Sequence, residues 1–236
     1  MASAQGAQTD AQSLPKVGVI GAGRSGTAVA RLALARGHVV RVANAHGGDG
    51  LRLILEVMAP GAVASGVVEA ITNSDIIMLA IPLNGYRSLP AADLAGKIVV
   101  DMMNYWRDVD GVLPELESGT RSSSEVVQAF LPASRLVKTL NHIDYAEMSE
   151  DARPPGSPQR RALAIAGDDP GAKGVVQSIV ENLGFDVVDA GPLSRSRLLE
   201  PGSPLFSGRC TAYSLRALLA GTPTALQECS PPFRSS

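Results

Sequence analysis

Gly21, Gly23 and Gly26 stand at the spacing G-x-G-x-x-G, directly after the β-branched run of residues 16–20. That pattern suits the binding of a pyrophosphate. The first glycine permits a tight turn, the second lets backbone approach the phosphates, and the third allows a helix to pack closely on a strand. A helix opening at such a turn offers free N–H groups and about half a positive charge to an anion. Gly21, Ala22, Gly23, Arg24, Ser25 and Gly26 are therefore the expected pyrophosphate contacts. Taken alone the pattern is weak, and its plainer meaning is a connecting turn. Its context of strand, turn, helix and second strand gives it weight.

The end of the second strand sorts NAD from NADP. An NAD site usually places Asp or Glu there, against the ribose diol. Here residues 42–48 read Val-Ala-Asn-Ala-His-Gly-Gly, with no carboxylate before Asp49. Nothing in that stretch would repel a 2′-phosphate, so NADP(H) is the expected cofactor. Asn44 can donate, and His46 or Arg24 could supply positive charge; the plainer reading of His46 is a solvated loop residue.

Two residues at the end of a later strand are candidate proton donors, Lys138 and His142. Lys138 closes the strand expected over 135–139 and His142 follows it, at the carboxyl end where α/β sheets bind ligands. Against that stand a surface lysine and a turn histidine bonding backbone. Asn104, after the strand expected near 97–100, reads as a cofactor contact or a turn cap. Tyr105 and Trp106 read as an aromatic wall or as core. No His or Cys cluster has a metal-ligand spacing, so no metal is expected.

These residues need a frame, and the chain supplies an alternating one. Helices are expected over 25–36, 49–58, 122–130, 170–183 and 212–220, and strands over 16–20, 38–43, 75–80, 97–100, 135–139, 163–166 and 185–188. The strands are continuous apolar runs, as in a parallel sheet buried on both faces. Ser122 with Glu125 forms a capping box. The helix opened by Asp169-Pro170 carries Ala172, Val175, Val176, Ile179, Val180 and Leu183 at helical spacing, with Gly184 just past its end. The fold class is α/β, a Rossmann-type doubly wound and mostly parallel sheet. Residues 1–13 read as a disordered leader, 14–190 as an NAD(P)-binding Rossmann-type domain, and 191–236 as a tail completing the substrate site or a dimer contact. Residues 145–160 read as a surface loop.

Composition removes several function classes. The 236 residues carry a formal net charge of −2, which leaves no basic face for nucleic acid or a membrane surface. No apolar run approaches the roughly 20 residues of a membrane span. The start of the chain lacks the basic and apolar segments of a signal peptide. Cys210 and Cys229 fit no disulfide framework, so a reducing cytoplasm is expected.

The chain resembles the NADP oxidoreductase, coenzyme F420-dependent family from about residue 16 to about residue 205. The likeness rests on residues 17–26, 79–82, 100–104, 122–125 and 137–142, and on 165–169 through 184–192. The resemblance implies that Gly21 to Gly26 hold the pyrophosphate and that Asn44, Ala45, His46 and Gly47 hold the 2′-phosphate. It places Ala80, Ile81, Pro82 and Asn104 beside the nicotinamide. Family members often have Asn-Ser-Arg where this chain has Asn44-Ala45-His46, so an arginine fork for the phosphate is missing. The tail arginines Arg195, Arg197 and Arg209 are suggested partners for the acidic side chain of a deazaflavin.

The expected function is an NADP(H)-dependent oxidoreductase that transfers hydride between NADPH and a second cofactor or small substrate, coenzyme F420 being the one the resemblance suggests. Two other readings stay open: a reductase of a small carbonyl, imine or ferric substrate, and a non-catalytic dinucleotide-binding redox sensor. A homodimer is expected, with the active site completed across its two-fold.

Overall fold

The computed structural model describes residues 13–206 and 208–229. The expected leader, apart from Ser13, lies outside the described residues. One eight-stranded sheet organises the chain, in the order β3-β2-β1-β4-β5-β6-β7-β8. Its strands are β1 (Val17–Ile20), β2 (Val40–Ala43), β3 (Val63–Ala64), β4 (Ile76–Leu79), β5 (Ile98–Asp101), β6 (Arg135–Lys138), β7 (Ala162–Gly167) and β8 (Asp186–Gly191). The helices are α1 (Arg24–Ala35), α2 (Gly48–Met58), α3 (Val67–Thr72), α4 (Arg107–Asp110), α5 (Pro114–Glu117), α6 (Ser123–Phe130), α7 (Glu147–Asp151), α8 (Pro170–Leu183) and α9 (Ala212–Leu219).

Every residue of β1, β4 and β5 is buried, which explains why their sequences show no polar alternation. Alternate side chains enter opposite layers. Val17 and Val19 join one core with α1 and α8, while Ile20 joins the other with Ile71 and Val127. Ser122 caps α6 through the full capping box, and Asp169 caps α8 on Ala172 N–H at 2.6 Å. Gly184, at φ +118, ends α8 as a left-handed residue. A third cluster fixes the tail: Leu199, Leu205, Cys210 and Leu215 pack on Ala164 and Val188 of β7 and β8.

One pairing positions the site. All neighbours are parallel except β6 and β7, which run antiparallel. The segment joining them therefore stays at the carboxyl end of β6 and never crosses the sheet.

Two expectations need correcting, and several short elements were missed. Residues 145–160 are not all loop, because α7 lies within them. The edge strand β3 and the short helices α3, α4 and α5 were not legible. Cys210 and Cys229 are joined in a disulfide. The carbonyl of Cys210 accepts from Ala162 N–H at 2.8 Å, docking it beside β7, and the chain then doubles back after α9 to return Cys229. The argument for a reducing compartment falls with that bond. Among the described residues no helix is long and apolar enough to cross a membrane.

Candidate functional site

The glycine turn has the geometry its spacing requires. Gly21 has φ +119, and a Cβ there would stand 2.3 Å from the Ala80 carbonyl oxygen. A Cβ on Gly26 would stand 1.9 Å from the Gly21 carbonyl oxygen. Both glycines are thus required by packing of the turn on β4 and of α1 on the turn. Gly23 differs: nothing lies within 4 Å of the position its Cβ would take. Gly23 is the N-cap of α1, no side chain caps that helix, and its first turn holds no acidic residue. Open space and uncapped N–H groups together fit an anionic diphosphate.

Gly23, Arg24 and Ser25 form one wall of a cleft of about 650 Å³ across the carboxyl ends of the parallel strands. Ala80, Ile81 and Pro82 follow β4 into it, Met102, Met103 and Asn104 follow β5, and Leu140, Asn141 and Ile143 to Tyr145 contribute from beyond β6. Trp106 is half exposed in this cleft and meets Phe206 edge-on at 5.8 Å. Ligands of open α/β sheets bind in such a crevice. Leu140 has φ 61, a left-handed backbone that a leucine adopts at a cost of ~1 kcal/mol or more. The strain turns the chain so that Asn141 faces both β5 and the tail.

Asn104 is held by that neighbour. Its Nδ2 donates to the Asn141 carbonyl at 2.8 Å, and its Oδ1 accepts from Asn141 Nδ2 at 2.9 Å. Asn141 Nδ2 also donates to the Leu199 carbonyl at 2.7 Å, which ties the tail to the cleft floor.

The two expected proton donors are placed elsewhere. The Lys138 side chain has no exposed surface; its Nζ lies 3.3 Å from Asp101 Oδ2 and donates to the Met103 carbonyl. His142 is 2% exposed, and its Nε2 accepts from Ala164 N–H at 3.0 Å. With Nε2 an acceptor, Nδ1 donates to Asn141 Oδ1 at 3.2 Å. Burial, helped by the charges of Arg161 and Lys138, lowers the His142 pKa to about 3. Neither side chain reaches the cleft, and both act from beneath it: Lys138 shapes the turn before Asn104, and His142 braces Asn141.

The 2′-phosphate candidates form a separate feature. Asn44 Oδ1 accepts from the N–H groups of His46 at 3.1 Å and Gly47 at 2.6 Å, an Asx turn directly after β2. Ala45 and His46 are exposed, and Gly21 N–H donates to the Ala43 carbonyl at 2.7 Å, so this loop adjoins the glycine turn without lining the cleft. Arg24 turns elsewhere: its Nη1 donates to the Tyr145 hydroxyl at 3.2 Å, and its guanidinium stands 5.6 Å from that ring's centre. The tail arginines do not enter the cleft. Arg195 donates to the Leu219 carbonyl at 2.7 Å, Arg209 pairs with Glu147 and Asp151, and Arg197 lines a smaller hollow beside Glu200. Sequence reasoning missed Tyr145 and Phe206 as cleft residues. No local pattern marks them, since each follows a stretch without periodicity.

Residues 16–105 match the family described as NADP oxidoreductase, coenzyme F420-dependent. The whole fold is similar to that of hypothetical protein SMa0349 from Sinorhizobium meliloti, at 27% identity and a TM-score of 0.71, over 83% of this chain and 95% of that one. It is also similar to a candidate F420 dependent NADP-reductase from Arthrobacter sp. FB24, at 25% identity and a TM-score of 0.66, over 78% of this chain and 87% of that one. A stretch of 72 residues is 35% identical to protein YjhV of Escherichia coli strain K12, covering 30% of this chain and 50% of that protein. The chain thus matches about half the length of that curated relative. Family and fold agree on a dinucleotide-binding domain of the oxidoreductase type.

Proposed function

We propose, from the premise that residues 16–105 are those of the NADP oxidoreductase, coenzyme F420-dependent family, that this chain is an NADP(H)-dependent oxidoreductase. Its cleft brings the nicotinamide to a second cofactor or small substrate, and a deazaflavin of the coenzyme F420 type is the acceptor we favour. The observation that carries the reading is the open face of Gly23 at the uncapped start of α1, continuous with the cleft. NADPH, when bound, supplies the hydride.

The chain's own residues supply position. Gly23 and the first N–H groups of α1 face the diphosphate, Asn104 is locked by Asn141 at the nicotinamide end, and the Asn44 to Gly47 turn, closed by its own N–H groups, presents His46 near the adenosine ribose. Hydride transfer between two cofactors demands mainly such positioning, because the reactive atoms belong to the cofactors. A cleft whose expected proton donors are both buried beneath it suits that reaction better than carbonyl reduction. The Asp110 carboxylate in the wall is engaged by the N–H groups of Asn84 at 3.0 Å and Trp106 at 2.8 Å.

The test is titration of the protein with NADPH and NADH, followed by the fluorescence of Trp106, with F420 reduction assayed in the same samples. NADPH binding with deazaflavin turnover supports the proposal. Binding without F420 turnover strikes out the acceptor, and turnover with a carbonyl or imine instead would install the reductase reading. Binding with no turnover on any acceptor would make the protein a sensor.

A further inference from the structure

We propose that Arg24 and Tyr145 form a clamp for the dinucleotide's diphosphate, so that the affinity they contribute is the same for NADPH and NADH. This rests on the reading that the cleft takes a dinucleotide. It builds on the expectation that Arg24 meets the pyrophosphate and sets aside the alternative that its charge answers the 2′-phosphate.

Three observations lead there. Arg24 opens α1, one residue past the N-cap Gly23, and among the described residues no carboxylate pairs with it. An uncompensated guanidinium and an uncapped helix start therefore add their positive potentials at one point of the cleft wall. Tyr145 reaches that point from the segment after β6, 121 residues further along the chain. It holds the guanidinium twice, by its hydroxyl at 3.2 Å and by the face of its ring at 5.6 Å. Both residues line the same cleft. Asp144, the neighbouring carboxylate in that wall, takes Ala146 N–H on its Oδ1 at 2.8 Å.

A guanidinium fixed in this way has lost rotamer freedom before any ligand arrives, and its planar donors suit a phosphate oxygen pair. Its hydrogen bond runs to the β6 side of the cleft. The Asn44 to His46 turn follows β2, on the other side of β1. The group within reach is the one shared by both dinucleotides, and discrimination between them falls to the turn after β2. Tyr145 is a positioning residue in this scheme, acting through Arg24.

Calorimetric titration with NADPH, NADH and 2′-AMP separates the roles, since 2′-AMP carries the 2′-phosphate without a diphosphate. Arg24→Gln should weaken NADPH and NADH by the same factor, about tenfold, and leave 2′-AMP unchanged. Tyr145→Ala should weaken both dinucleotides by a smaller common factor, about threefold. The double variant should bind no more weakly than Arg24→Gln alone, because Tyr145 has nothing to orient once the guanidinium is gone. Arg24 is exposed, so its variant folds; if Tyr145→Ala does not, Tyr145→Phe removes the hydroxyl alone and should show part of the loss. A loss confined to NADPH and 2′-AMP, or losses that add in the double variant, would overturn the clamp. Failure of the unaltered protein to bind either dinucleotide would remove the reading beneath it, and that is seen before any variant is made.

Discussion

Lys138 and Asp101 face each other at the ends of neighbouring parallel strands, Nζ to Oδ2 at 3.3 Å, with no side-chain surface of either exposed. Asp101 is further engaged by Ser124 Oγ at 2.7 Å and by Met103 N–H at 2.9 Å, while Lys138 also takes the Met103 carbonyl. Both backbone groups of Met103 are thus consumed by the pair. The turn that delivers Asn104 to the cleft is shaped from below by charge.

A buried pair is costly to break from one side, because the remaining charge stays desolvated. Lys138→Met should destabilise the protein by about 3–5 kcal/mol. Adding Asp101→Asn should recover part of that loss by removing the stranded carboxylate. Urea titration of the three variants tests this. A single variant within ~1 kcal/mol of the unaltered protein would mean the pair carries no such burden.

The glycine turn offers a contrast inside one motif. Gly26→Ala drives a methyl into the Gly21 carbonyl, 1.9 Å away, and should cost about 3 kcal/mol or more. Gly23 has φ −77 and free space around its Cβ position, so Gly23→Ala should melt with the unaltered protein. The added methyl projects where the backbone must approach the diphosphate, so NADPH binding should weaken nonetheless. Equal stability losses in both variants would contradict this division.

Much of this arrangement was legible in the sequence because it is local. A glycine spacing, a continuous apolar run, a capping box at Ser122 and a left-handed stop at Gly184 are each written within a few residues. The site's far wall is not local. Tyr145 and Phe206 enter the cleft only because β7 runs antiparallel to β6 and because the tail packs on β7 and β8. Polar residues misled for a related reason. Lys138 and His142 stand where a ligand would be met, but burial and partners 22 to 37 residues away give them structural work. Side-chain type shows what a residue can do, and only the packing shows what it faces.

The disulfide makes the tail a test of the same kind. Cys210 and Cys229 are separated by 19 residues and enclose α9. Closing a loop of that size stabilises a fold by about 3 kcal/mol in the chain-entropy model. Treatment with a reductant, or Cys229→Ser, should lower the urea midpoint and open residues 211–229 to proteolysis, while leaving β1 to β6 protected. Identical digestion patterns with and without reductant would show that the bond does not secure this segment.

His142 gives a pH signature with a defined sign. Its pKa falls from the ordinary 6.5 to about 3 in the folded protein, first because it is buried and then because Arg161 and Lys138 are near. Between those values the unfolded chain binds the proton and the folded chain does not, so acid favours unfolding. Stability should be unaffected by this group above pH 6.5 and should decline as pH falls below it, by up to ~1.4 kcal/mol per pH unit. His142→Gln keeps an acceptor for Ala164 N–H and cannot titrate. Comparing urea midpoints of the two proteins from pH 7.5 down to about 4.5 should show the steeper fall in the unaltered protein. The pH profile of any NADPH-dependent turnover should carry no His142 ionisation near neutrality, since the ring is neutral there and holds Asn141. If the two proteins lose stability in parallel, the ring is protonated in the fold and the bond from Ala164 N–H cannot be as described.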